Sequence, residues 1–151
     1  MLLVLFEPDI PQNTGSMIRL AACMGMGLHI IEPCGFPLDD KRMRRVAMDY
    51  YDLALPVKHI SWQAFLEWRG TRRIILLTTR ATQSYTDFRF QADDILLLGR
   101  ESSGVPAEVH ATADASVKIP VQAPARSLNL VQAASMVAGE ALRQTGQLPE
   151  L

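Results

Sequence analysis

The sequence predicts an α/β fold, a parallel sheet with flanking helices, and three observations carry that expectation. Short apolar runs rich in Val, Ile and Leu recur without polar alternation, as strands covered on both faces require. Helix-like stretches with capping residues lie between most of them. The chain has 151 residues, 48% of them hydrophobic. That length reads as one domain, 1–151, which buries roughly 70% of its unfolded surface and needs neither disulfide nor metal to close a core.

In chain order, residues 2–6 (LLVLF) form the first strand. A helix over 14–26 follows, with Asn13 and Thr14 as cap candidates and Gly25 and Gly27 as stops. Residues 28–31 make the second strand. The stretch 39–49 is a charged helix whose apolar residues are Met43, Val46 and Ala47. Ser61 caps a helix over 61–68, where Trp62 and Trp68 read as core. Strands follow at 74–78 and 95–98. The second of these ends at Gly99, and Pro106 starts a helix after the turn. Residues 116–119 are a further strand. The last helix covers 127–144 and is entered through Ser127, Leu128 and Asn129, with Gly146 and Pro149 closing it. Apolar residues lie almost all round its first three turns, which calls for burial on most faces. In so small a domain that pattern points to a partner chain, a homodimer.

The net charge of −1 does not announce a nucleic-acid binder, so any RNA contact must rest on a local patch. Lys41, Arg42, Arg44 and Arg45 form one such cluster, although a solvated helix face is the usual explanation of such a run. Cys23 and Cys34 belong to no CxxC pair and read as reduced packing residues, with no metal expected. His29, His59 and His110 stand singly in the sequence and read as structural. No apolar run approaches the ~20 residues of a membrane span. The start of the chain lacks a basic flank, so a cytoplasmic protein is expected. GxGxxG after the first strand and GxxxxGK[ST] anywhere are absent, which removes the Rossmann and P-loop readings.

Ligands of parallel sheets bind at the carboxyl ends of the strands, and three segments there carry polar groups. Asn13, Thr14 and Gly15 open the first helix, with Arg19 further along it. Glycine there permits close backbone approach and helix N–H groups attract anions, though a plain helix start with a solvated arginine fits as well. Gly99 ends a strand before Glu101 and Gly104, a turn able to cradle a small molecule or simply to join strand and helix. Ile119 leads through two prolines to Ser127, Leu128 and Asn129, where Ser127 alone reads as a cap.

Taken together, in this order and spacing, the three segments resemble the signature motifs of the SPOUT class of RNA methyltransferases. The run Glu7, Pro8, Asp9, Ile10, Pro11 and the cluster 39–45 are similar to its small TrmL/YibK group. The resemblance implies a C-terminal trefoil knot that binds S-adenosylmethionine through Leu77, Gly99, Ile119, Ser127, Leu128 and Asn129. It implies Arg19, Asn13 and Glu101 as catalytic residues, and a homodimer packed through the first and last helices. Lys41, Arg42, Arg44 and Arg45 would hold tRNA, and the reaction would be 2′-O-methylation of the wobble ribose, cytidine or modified uridine, of leucine tRNAs. Another tRNA position, a ribosomal RNA site, or a knotted RNA- or nucleotide-binding module without catalysis are the alternatives. Many relatives carry an aromatic residue where Gly139 precedes Glu140 here.

Overall fold

The computed structural model describes residues 1–151. Its elements are β1 (Leu2–Phe6), α1 (Pro11–Met24), β2 (Gly27–Ile31), α2 (Asp40–Ala47), a single 3₁₀ turn (Met48–Tyr50), β3 (Val57–His59), α3 (Trp62–Arg69), β4 (Ile74–Leu77), β5 (Gln83–Ser84), β6 (Ile95–Leu98), α4 (Ala107–Thr112), β7 (Ala115–Lys118) and α5 (Leu130–Thr145). The strands form one sheet in the order β3-β2-β1-β6-β4-β7-β5. Every pairing is parallel, as the unalternating apolar runs predict.

Successive strand residues serve opposite faces. Leu3, Leu5, Leu28, Ile30, Ile75, Leu96 and Leu98 pack under α1, α2 and α5, against Met17, Ile18, Met43, Val137 and Ala141. Val4, Phe6, Ile31, Ile74, Leu76, Ile95 and Leu97 face the other way, against Phe65 of α3 and Val109 of α4. Gly15 lets α1 and α2 touch: a Cβ there would lie 2.6 Å from the Val46 carbonyl oxygen. The glycine thus serves helix packing, not the anion approach expected of it. No helix is long and apolar enough to cross a membrane.

Several boundaries differ from the sequence reading. Helix α1 begins three residues early, at Pro11, whose missing N–H suits a first turn. Its cap residue is Ile10, which offers no side-chain bond. Thr14 instead donates its hydroxyl back to the Ile10 carbonyl, and Asn13 turns away from the helix end. Helix α5 begins at Leu130, so Ser127 lies outside it and Asn129 is the cap, accepting from the N–H groups of Val131 and Gln132. Nor is α5 buried on most faces of this chain. Ala134, Val137, Ala138, Ala141 and Leu142 are buried along one stripe, while Ser135 and Met136 face outward. The sequence sets no bounds for β3 and β5, because one is three residues long with Val57 and Lys58 exposed, and the other has only two residues.

The histidines are not all solitary. Neighbouring β2 and β3 bring His29 Nδ1 to 2.8 Å from His59 Nε2, both rings buried beside Phe65 and Trp68. One ring nitrogen must donate and the other accept, so the pair is built for two neutral imidazoles. Burial, then the neighbouring His59 and Arg72, push His29 down to about 4. The unfolded chain takes up a proton near pH 6.5 while the folded chain refuses it. This stabilisation is therefore complete above pH 6.5 and is lost progressively as pH falls towards 4. Chemical denaturation across that window should show a loss of roughly 2 kcal/mol, and His29→Gln should remove most of it. A variant with the wild-type profile would refute the assignment.

Candidate active site

Strands β1, β6, β4 and β7 lie side by side in the sheet, and the carboxyl ends of β6, β4 and β7 open on one cavity of about 400 Å³ that the start of α1 borders. That volume suits a nucleoside-sized ligand. β4 contributes Leu77 and the turn after it Thr78 and Thr79, β6 contributes Leu98, and β7 contributes Val117 and Lys118. Gly99 to Gly104 forms a tight turn closed by reciprocal backbone bonds between Arg100 and Gly104, each 2.9 Å. A Cβ on Gly99 would sit 2.5 Å from the Gly104 carbonyl carbon, so only glycine fits at the mouth of β6. Ile119 and the segment 126–129 form the remaining wall. Leu77, Gly99, Ile119, Ser127, Leu128, Asn129, Asn13 and Glu101 thus all line this one space.

A directed polar chain crosses it. Asn129 Oδ1 is occupied by the α5 N-terminus, so its Nδ2 must donate, and it does so to Asn13 Oδ1 at 3.3 Å. Asn13 Nδ2 then donates to Glu101 Oε1, also at 3.3 Å. Glu101 Oε2 accepts from the Asp9 N–H at 3.0 Å. Groups from the α1 start, the β6 turn and the α5 start are joined in one line. Burial raises the Glu101 carboxyl above its ordinary range, and the facing Asp9 carboxyl adds to that. The same contact holds Asp9 down, to about 2, helped by the Ser102 hydroxyl and Arg100.

Arg19 is elsewhere. It does not line the cavity; it lies exposed on α1 with its guanidinium 4.8 Å from the centre of the Tyr50 ring. The basic cluster divides as well. Lys41, Arg42 and Arg45 border a second hollow with Pro11, Gln12, Asp39 and Val46. Arg44 points away, 2.7 Å from Asp52 and stacked on Tyr51. A Cβ on Gly139 would meet nothing within 4 Å. Sequence reasoning missed Asp9 and Arg100 as site residues. The signal for both was present, since Asp9 lies three residues past the end of the first strand and Arg100 stands between Gly99 and Glu101.

Comparison with known proteins finds relatives in sequence and fold. The SpoU rRNA Methylase family matches residues 1–139. A tRNA (cytidine(34)-2′-O)-methyltransferase of Beijerinckia indica subsp. indica is 55% identical over 99% of this chain and 95% of its own. A solved structure concerned with 2-OH methylation of C/U34 on tRNA superposes with a TM-score of 0.87 at 43% identity, over 94% of this chain and 93% of that one. The SpoU methyltransferase AviRb of Streptomyces viridochromogenes, in complex with AdoMet, gives 0.86 at 26% identity over 95% and 60%.

Asn129 has two separable duties, and substitutions should divide them. Asn129→Asp keeps the oxygen that caps α5 but cannot donate to Asn13, so stability to denaturant should stay near wild type. Asn129→Ala should cost about 1 kcal/mol as the cap is lost. Both should shift the side-chain amide resonances of Asn13, and a shift in neither would contradict the chain.

Proposed function

The chain belongs to the SpoU rRNA methylase family, and from that membership we propose that it is an S-adenosylmethionine-dependent enzyme. It 2′-O-methylates the ribose at the wobble nucleotide, position 34, of tRNA, whether cytidine or modified uridine. Leucine tRNAs are the first substrates to try. The observation that carries this reading is the convergence of eight motif residues on one cavity, in a chain 55% identical to a relative named for that reaction. The protein works in the cytoplasm as one domain over 1–151, with no metal.

The cavity fits the cofactor. Its walls combine apolar side chains with a glycine turn whose backbone nothing larger could replace, the setting a nucleoside needs. Leu77, Gly99, Ile119, Ser127, Leu128 and Asn129 hold S-adenosylmethionine, the last three in a segment that, by family likeness, passes through a trefoil knot. S-adenosylmethionine supplies a methyl group on a positively charged sulfur. Asn13 and Glu101, fixed by the polar chain, orient the target ribose. A guanidinium makes a poor base, so Arg19 acts through its charge and its N–H donors. It grips the target phosphate and stabilises negative charge developing on the ribose oxygen, leaving the proton to water or phosphate.

Since Arg19 lies outside its own cavity, it serves the cavity of a second copy in a homodimer packed through α1 and α5. The exposed Ser135 and Met136 flank of α5 supports that pairing. Lys41, Arg42 and Arg45, the cations bordering the hollow beside α1, hold the tRNA backbone, whereas Arg44 steadies the end of α2.

The test is methyl incorporation from labelled S-adenosylmethionine into tRNA from cells lacking the enzyme, with the label located by nuclease mapping. Label on the wobble ribose is expected. Arg19→Ala should lose about 10²–10³-fold in kcat, and Arg19→Lys should retain measurable activity because it keeps the charge. Equal loss in both across the pH range would restore a base role. Equal amounts of Arg19→Ala and a cavity-dead variant, refolded together, should regain about a quarter of wild-type activity if arginine acts across the dimer. No recovery means that it acts within one chain. Label only in ribosomal RNA would move the target.

Binding should also separate the cations. Lys41→Ala, Arg42→Ala and Arg45→Ala should each weaken tRNA binding and reduce the slope of log K against log salt by about one. Arg44→Ala should leave that slope unchanged. Equal slopes for all four would cancel the distinction.

A further inference from the structure

Asp9 touches three consecutive residues of the β6 turn. Its N–H donates to Glu101 Oε2 at 3.0 Å, its Oδ2 accepts from the Ser102 hydroxyl, and the same oxygen lies 3.6 Å from Arg100 Nε. Arg100 is held in addition by Glu7, 3.3 Å from its Nη1. The backbone is fixed from behind. A Cβ on Gly35 would stand 2.9 Å from the Asp9 Cα, and Gly35 N–H donates to the Pro8 carbonyl at 2.9 Å. Glu7, two residues earlier, has φ of 44°, a strained value for a residue with a side chain. Such strain persists where the surroundings over-determine the backbone. Asp9 Oδ1 is buried and has no hydrogen-bond donor.

We propose that Asp9 is a positioning residue for methyl transfer, sharing one proton with Glu101 and thereby aligning the Glu101–Asn13–Asn129 chain in the cavity. The proposal rests on the methyltransferase reading above. A proton held between the two carboxyl groups supplies the donor that Oδ1 lacks. The same segment feeds directly into α1, so Asp9 sets both the turn that faces the cofactor and the helix that carries Asn13. Two carboxylates this close cannot both ionise without cost, and the shared proton removes that cost. The charged groups around the pair are Glu7 and Arg100. The nearby Cys34 thiol stays neutral, since burial, then Glu32 and Glu7, push it up to about 12. The raised Glu101 and lowered Asp9 agree with one proton held chiefly by Glu101.

The experiment compares Asp9→Ala and Asp9→Asn with wild type, using S-adenosylmethionine and tRNA. Asp9→Ala should lower kcat by about 10–100-fold while KM for both substrates stays within about threefold. Asp9→Asn can donate to an ionised Glu101 and accept from Ser102, so kcat should recover to within about tenfold of wild type. The alkaline limb that loss of the shared proton sets in wild type should vanish in Asp9→Asn, whose working form already carries an ionised Glu101. If kcat per folded enzyme were unchanged in Asp9→Ala, or if cofactor affinity and melting temperature fell with no recovery in Asp9→Asn, the positioning role would be wrong. Hydrogen exchange in residues 99–104 supplies an arm that needs no activity. Asp9→Ala and Glu101→Ala should each speed it at least ~10-fold while β6 stays protected, and the double variant should add nothing. Additive effects, or none, would overturn the proposal even if the RNA target proved different. A wild type that transfers no methyl group would sink the functional reading alone.

Discussion

Asn129 Oδ1 accepts from N–H groups in the first turn of α5, and the direction of both amide bonds in the site follows. An amide whose oxygen is occupied can only donate with its nitrogen. Asn13 must then present its oxygen to Asn129 and its nitrogen to Glu101. Neither amide can flip without losing a partner. Helix formation at one end of the chain thus orients a carboxylate near its middle. The start of α5 and the orientation of the site are thereby tied together.

The sheet supplies the frame on which that chain is strung. Because β1 and β6 are neighbours, the end of the first strand and the glycine turn after the sixth meet, although ninety-two positions separate Asp9 from Glu101. Parallel pairing puts all four relevant carboxyl ends on one edge. Both faces of the sheet are covered, so the edge is the accessible place for a ligand. The cost of bringing distant segments together is met by the apolar runs themselves, since Leu97, Leu98, Val4 and Leu5 are almost fully buried.

What could be read beforehand follows the same division. The apolar runs were legible because burial on both faces leaves an unmistakable pattern, and strand class and sheet parallelism follow from it, whereas the cavity residues came from the family resemblance. Helix starts were less so. Asn13 and Asn129 are both good caps by type, yet only Asn129 acts as one, because Glu101 draws Asn13 into the cavity. Gly15 looked like an anion cradle, but the nearness of Val46 is a tertiary fact with no local signal. The His29–His59 contact is similar: thirty positions apart, the two meet only because β2 and β3 pair. The split within the basic cluster depends on Asp52 and Tyr51, beyond the end of α2.

The geometry of α1 bears on why so short a chain would act in pairs. Asn13 and Arg19 are six residues apart, which in a helix is about 9 Å of rise and roughly 240° of rotation. They cannot face one cavity side by side. Asn13 looks into its own cavity through Glu101 and Asn129, while Arg19 lies over Tyr50 on another flank. That ring shields the guanidinium without consuming its N–H donors, as a carboxylate would. The forked donors are left free for a phosphate or ribose oxygen, whereas Arg44, paired with Asp52, has spent some of its own. On the proposed reading α1 thus serves two sites, positioning the ribose in one and delivering charge to the other. An arginine in that role needs its N–H donors free, and its stacking on Tyr50 leaves them so.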